Sequence, residues 1–420
     1  AYISQFDLRQ GSGKTRAMIM NGISDLKIPA SLKPAIQRAG LWLSMAIMVT
    51  ACEQVPGPGG ETAADSQAVG LASAMFEKAV AFPTVPGISV AVAGTDGIIW
   101  AQGFGWADVE NAVPMSARTK MRIGSVAKPF TAAAMMRLYD QGKIDLDADV
   151  RSYVPAWPDK HAVITLRQLT SHTSGIRHYE DDEFSSNRYY PTVASSLDIF
   201  KDSPLEFEPG TDYGYSTYAW TLVSAAIEGA DGARSFEEIL QQEVFTPLAM
   251  ADSALDDQYE IIPNRQRPYS VHDGELKNSP QTDHSYKWAG GGFIASTSDV
   301  ARFAMAHLNG GYLRESTVEE MFTNVSTSSG KSTDYGIGWH IGFELYMERY
   351  SEDLDAIRIM QEHPGAVMHS GGSMGGSTMM ILCRDHQRAV AVVKNVDGDQ
   401  SSSHFLLALR TLDIFYQHPQ

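Results

Sequence analysis

A chain of 420 residues with 43% hydrophobic and 10% aromatic content can build a large core in one or two domains, which excludes a disordered protein. A formal net charge of -17 argues against nucleic acid or anionic lipid headgroups as partners. The two cysteines, Cys52 and Cys383, form no C-x-x-C pair, which excludes a zinc ribbon and a disulfide framework.

Near the start, Gly11-Ser12-Gly13-Lys14-Thr15 resembles a phosphate-binding loop. Leu8, however, stands where the first glycine of G-x-x-x-x-G-K-T belongs, and no apolar strand precedes it, so nucleotide binding is rejected. Lys33 and Arg38 then lead into an apolar run over 41–49 that ends in Thr50-Ala51-Cys52. A basic flank, a short apolar core and small residues make a secretory signal, too short for a bilayer-spanning helix of ~20 residues. Because the small residues precede a cysteine, residues 1–52 are expected to carry a bacterial lipoprotein-type signal. Cys52 would be the lipidated residue, holding the protein on the cell envelope by a lipid anchor alone. A buried apolar helix is the alternative. It is disfavoured because the chain turns polar from Glu53, with Pro56-Gly57-Pro58-Gly59-Gly60, so 53–74 is expected to be a flexible tether.

From about residue 75 the pattern is that of a folded domain. Runs at 85–93 and 98–105, joined by Gly94-Thr95-Asp96-Gly97, predict a β-hairpin with an Asp-Gly turn. Next comes Gly124-Ser125-Val126-Ala127-Lys128-Pro129-Phe130, opening an apolar run over 131–139. Helical side chains three apart point to nearly one face, so Ser125 and Lys128 would place a hydroxyl beside an amine. An amine kept neutral by burial or a nearby cation can take the serine proton as attack begins, the chemistry of S-x-x-K. Pro129 is cheap only in a first helical turn, so a helix should begin at or just before Ser125. Alone, the motif is weak, and the plain reading of a capping serine and a surface lysine would win. Further along, His172 and His178 stand beside Glu180, Asp181 and Asp182 without a helical metal-ligand spacing, and no metal site or cofactor is expected. Helical patterns follow at 218–228, 236–244 and 299–308, strands at 377–383 and 389–393, and a closing helix at 405–416. The simplest arrangement is an α/β (α+β type) domain, with an antiparallel sheet from both chain ends and a mainly helical insertion over about 125–290.

Ordered companions reverse the reading of S-x-x-K. After Ser125 and Lys128 come Leu169-Thr-Ser-His172-Thr-Ser-Gly175, Pro209-Gly-Thr-Asp-Tyr-Gly-Tyr215-Ser-Thr217, Gly290-Gly-Gly-Phe-Ile-Ala-Ser-Thr297 and His369-Ser-Gly-Gly372. In order and spacing these resemble the serine β-lactamase and penicillin-binding-protein superfamily, in its class C, DD-peptidase and family VIII esterase branch. The wording around His172–Tyr179 and Ser285–Gly292 is most similar to mitochondrial serine β-lactamase-like proteins and their bacterial relatives. The resemblance implies a β-lactamase/transpeptidase-like fold and a serine hydrolase working through a Ser125 acyl-enzyme on ester or amide bonds. Lys128 and Tyr215 would move protons, and the N–H groups of Ser125 and Gly372 would form the oxyanion hole. His369, where K-T-G has Lys, would hold Tyr215 or a substrate carboxylate, with Gly371 beside the substrate. Thr217 replaces the Asn of Y-x-N, and a hydroxyl cannot offer an amide's separate donor and acceptor, so acylamide recognition is in doubt. The expected activity is therefore that of a carboxylesterase or peptidase, with weak or no β-lactamase activity. A β-lactamase or D-alanyl-D-alanine carboxypeptidase is the alternative.

Two rival readings remain. Gly371-Gly-Ser373-Met-Gly375 fits G-x-S-x-G, with Asp385 or Asp397 and His404 downstream. A nucleophile elbow needs several further strands and helices, and too little chain follows Ser373. The other rival is a catalytically silent scaffold or receptor. A scaffold needs none of Ser125, Lys128 and Tyr215, and all three are present.

Overall fold

The structure is a computed structural model that describes residues 67–419. The expected signal over 1–52, including Cys52, lies outside the described residues, as does the first part of the tether. The tether read as reaching residue 74 stops sooner. Helix α1 (Gln67–Val80) buries Ala68, Ala72, Phe76 and Ala79, spaced by threes and fours, so one apolar stripe faces the fold. That stripe is mostly alanine, which made the segment look loop-like.

The hairpin forms as expected, from β1 (Gly87–Gly94) and β2 (Gly97–Asp108). Gly97 sits at φ 120°, a conformation that L side chains rarely adopt. With β3 (Val113–Pro114), β4 (His340–Ile341), β5 (Ala366–Ser373), β6 (Gly376–Cys383) and β7 (Arg388–Lys394) they form one seven-stranded sheet. Its order is β3-β2-β1-β7-β6-β5-β4, and antiparallel pairing of β1 with β7 joins the two chain ends.

Alternate strand residues face opposite ways, and both faces of the sheet are covered. Ala91, Ala93, Met380, Leu382, Ala391 and Val393 enter a core shared with α2 (Ala127–Asp140), α3 (Thr217–Asp231) and α4 (Thr297–Ala306). Val90, Val92, Met379, Ile381, Val390 and Val392 face α1, α5 (Leu354–Glu362) and α6 (His404–Gln417). Burial on both sides explains why 389–393 is apolar without alternation. Helix α2 is buried nearly all round, which makes it the central helix of the insertion.

The insertion is less purely helical than its sequence suggests. Met121–Arg122, Phe293–Ala295 and Ser253–Leu255 form a small antiparallel sheet, and Tyr269–His272 pairs with Glu275–Asn278. Strands this short carry too little alternation to be read. Their effect is local and decisive: pairing of Met121–Arg122 with Phe293–Ala295 brings Gly290–Gly292 alongside the residues that precede Ser125. Among the described residues no helix is long and apolar enough to cross a membrane.

Candidate active site

Ser125 lies in a 3-10 turn, Gly124–Val126, that runs directly into α2. Gly124 adopts φ 51°, and Pro129 falls in the first turn of α2, where its missing N–H costs little. The half-buried Ser125 hydroxyl thus stands at the positive end of a helix. One turn on, Lys128 is fully buried. Its Nζ lies 3.0 Å from Ser125 Oγ, 2.6 Å from Gly290 O and 3.2 Å from Thr217 Oγ1.

Burial, assisted by the charge of Lys287, holds the Lys128 amine well below the usual lysine range. A neutral amine has two hydrogens and one lone pair. The carbonyl of Gly290 and the hydroxyl of Thr217 take the hydrogens, which leaves the lone pair for the proton of Ser125. The geometry therefore favours a base at Lys128. It also gives Thr217 a definite position: it is buried, with its hydroxyl on Lys128, underneath the site rather than facing a bound substrate.

Tyr215 immediately precedes the N-cap of α3, where Ser216 Oγ accepts from the Ala219 N–H at 3.0 Å. Two histidines fix this entry. The Ser216 N–H donates to His172 Nδ1 at 3.1 Å, and the Thr217 N–H donates to His178 Nδ1 at 3.2 Å. Burial holds His172 well below its ordinary value and His178 down at about 3, so both rings are neutral acceptors. The His172 ring lies 4.2 Å from that of Tyr215, and Lys128 Nζ lies 4.8 Å from the Tyr215 ring centre. Burial drives the Tyr215 phenol far above its usual value, against a hydrogen bond to Ser125 that pulls it down. A phenol that keeps its proton is an acid or relay, not the resting base.

Strand β5 supplies the other wall. A Cβ on Gly371 would lie 2.0 Å from Ile123 O, and one on Gly124 would lie 2.7 Å from Gly372 N. Only bare backbone lets β5 press against the turn that carries Ser125. Gly372, by contrast, is exposed, and a Cβ there would meet nothing within 4 Å. The structure thus brings Ser125 and Gly372 together as adjoining backbone. Gly371→Ala is expected to lower the melting temperature and cut turnover by ~10²-fold, since a displaced β5 carries the Gly372 backbone away from Ser125. Gly372→Ala should melt like the parent. Thermal melts of both variants check this, and a Gly371→Ala protein as stable as the parent would contradict it.

The beta-lactamase family model matches residues 73–412. The chain belongs to the beta-lactamase family. Serine beta-lactamase-like protein LACTB, mitochondrial, from Homo sapiens is 30% identical over 385 residues, covering 71% of this chain and 68% of that protein. Among solved structures, the octameric penicillin-binding protein homologue from Pyrococcus abyssi is similar, with TM-score 0.67 and 23% identity over 83% of this chain and 77% of that one. EstCE1, described as a hydrolase with promiscuous acyltransferase activity, gives TM-score 0.69 and 19% identity over 83% of this chain and 98% of its own. The chain is thus a serine hydrolase of the β-lactamase/transpeptidase-like fold, as its motif order implies.

Within this family site, His369 departs from the expected role. Its ring is buried, with Nδ1 donating to Ser370 O at 2.6 Å and Nε2 lying 2.8 Å from the Tyr335 hydroxyl. Burial, His340 and Lys128 hold it well below the ordinary histidine value. A neutral ring with both nitrogens engaged does not serve as a cation for a substrate carboxylate. Ser373, at the end of β5, is buried, and among the described residues its Oγ has no hydrogen-bond partner. Asp397 accepts from Ser270 Oγ and Gly375 N, and Asp385 accepts from Gly365 N, so neither acid forms an elbow triad with Ser373.

Two residues at the site went unread in the sequence. Tyr335 closes a ring cluster with His172, His340 and His369. Lys287 is buried with Nζ 4.4 Å from the Phe184 ring centre, 5.3 Å from Tyr286 and 5.6 Å from Tyr179. Burial and the charge of Arg122 bring its amine down to about 7. With His369 neutral, Lys287 is the cation that bears on Lys128. The signal was available in Ser285-Tyr286-Lys287-Trp288, a lysine among aromatics one alanine before a triple glycine.

Proposed function

We propose that this protein is a carboxylesterase-type hydrolase that forms an acyl-enzyme on Ser125, with Lys128 as general base. The observation that carries the reading is the 3.0 Å contact between Lys128 Nζ and Ser125 Oγ, with the other two amine contacts taken by Gly290 O and Thr217 Oγ1. As Ser125 Oγ bonds to the acyl carbon, its proton passes to Lys128. Charge gathers on the acyl oxygen opposite the Ser125 and Gly372 N–H groups. Collapse expels an alcohol that takes its proton from Lys128 through Tyr215, and water then hydrolyses the ester on Ser125 by the same path in reverse.

Esters suit this site better than β-lactams. Thr217 is committed to Lys128, so no amide side chain stands where an acylamide arm would be held, and neutral His369 offers a β-lactam carboxylate no charge. A second reading, cleavage of small peptides or amides, is favoured by one observation: the Tyr215 phenol is kept protonated, as departure of an amine requires. Short-chain aryl esters are expected to be hydrolysed far faster than cephalosporins. Measuring kcat/KM for a p-nitrophenyl acyl ester and a chromogenic cephalosporin on one preparation tests this, and a higher value for the cephalosporin overturns it.

A further inference from the structure

Three metal-ligating side chains meet far from Ser125. Gly372, at the active-site end of β5, pairs with Ser377, whereas Cys383, at the other end of β6, pairs with Ala366. Six residues of strand put Cys383 ~20 Å away. Cys383 and His363 are fully buried, and His386 is half-exposed. His363 caps the C-terminus of α5, while His386 lies in the turn between β6 and β7. His363 Nδ1 is 3.2 Å from Cys383 Sγ and 2.9 Å from His386 Nδ1, and Cys383 Sγ is 3.3 Å from His386 Nδ1.

Hydrogen bonds can serve all three atoms but leave one edge of this triangle without a hydrogen. If both Nδ1 atoms carry hydrogen, those hydrogens collide across the 2.9 Å edge. If neither does, two lone pairs face each other there. With one of the two protonated, a hydrogen points well along only one edge from that atom, and the thiol hydrogen serves at most one more. One edge is always left bare. A cation at the centre satisfies all three atoms at once. Zinc-type bonds of ~2.0–2.1 Å to nitrogen and ~2.3 Å to sulfur give tetrahedral edges of roughly 3.3–3.6 Å. The observed triangle therefore needs to open by only a few tenths of an ångström.

The surroundings hold the triangle in place. Asp385 accepts the Gly365 N–H at 2.8 Å, tying the turn that bears His386 to the segment that follows His363. The Tyr416 ring lies 4.1 Å from the His386 ring and 5.1 Å from that of His363. Among the described residues His363 Nε2 is buried without a hydrogen-bond partner, and the polar contacts of that ring point into the cluster.

We propose that His363, Cys383 and His386 form a binding site for one divalent cation of the zinc class. The ligand atoms are two imidazole Nδ1 and one thiolate sulfur, which select a borderline-soft ion over magnesium or calcium. Binding exchanges the Cys383 thiol proton, released to solvent, for a sulfur–metal bond with no change in oxidation state. The exposed edge of His386 gives the ion its entry, and the fourth position is open to water or an incoming ligand.

The test is a Co²⁺ titration of the full chain carrying Cys52→Ser, so that Cys383 is its only thiol. A near-ultraviolet thiolate-to-cobalt charge-transfer band should saturate at one equivalent and vanish when Zn²⁺ is added. It should be absent in Cys383→Ser. His386→Ala, at a half-exposed position that keeps the fold intact, should weaken Co²⁺ binding by at least ~10-fold. No charge-transfer band in the parent chain, or unchanged Co²⁺ affinity in His386→Ala, would overturn the proposal.

Discussion

Ser125→Ala is expected to abolish ester turnover, with a fall of about 10⁴-fold or more, and to remove covalent labelling by a fluorophosphonate altogether. The size follows from what disappears: with no Oγ there is no acyl-enzyme, and residual rate comes only from binding and backbone donors. Folding should be little affected, because the replaced hydroxyl is half-exposed and contacts Tyr215 and a lysine that keeps two other partners. Ser373→Ala is the matched control. That hydroxyl is buried, and among the described residues it has no hydrogen-bond partner and no acid–histidine pair to activate it. Intact-mass spectra after inhibitor treatment should show one adduct on the parent and on Ser373→Ala, and none on Ser125→Ala. An adduct on Ser125→Ala would end the assignment.

The sheet and the first two members of the site were legible because their signals are local. An Asp-Gly turn between apolar runs makes a hairpin, and a serine and a lysine three apart ahead of an apolar run make one helical face. What escaped depended on pairing between distant segments. Nothing in Met121-Arg122 or Phe293-Ile294-Ala295 announces a ladder, yet that ladder brings Gly290 O to Lys128. His369 was read as holding Tyr215 or a substrate carboxylate, and the strand that carries it went unread; its ring meets Tyr335, 34 residues away. Thr217 was read as a weakened substrate contact, and its buried hydroxyl is a ligand of Lys128 instead. The Cys383-x-x-His386 spacing passed unread, and its third member stands 20 residues upstream and joins it only when α5 ends against the sheet.

Lys128→Met should reduce kcat by roughly 10²- to 10⁴-fold, the range expected for loss of a positioned base, in a protein that still folds. Methionine matches the length of the buried stem. Leaving Gly290 O and Thr217 Oγ1 without a donor costs about 1–3 kcal/mol, offset in part because an amine no longer has to be desolvated. The pH profile separates this from general damage. A lysine base must be neutral to act, and burial with the charge of Lys287 holds Lys128 well below the ordinary lysine value. Activity is therefore present above the depressed pKa and is lost as pH falls through it. In Lys128→Met that acid limb should disappear. In Lys287→Met the repelling charge is gone, Lys128 holds its proton more firmly, and the limb should move to higher pH. Tyr215→Phe should lower kcat while keeping the limb in place, because its phenol is protonated throughout. Profiles of kcat/KM for the four proteins on one aryl ester decide the matter. An acid limb that survives in Lys128→Met would give the titration to another group and remove Lys128 from the role of base.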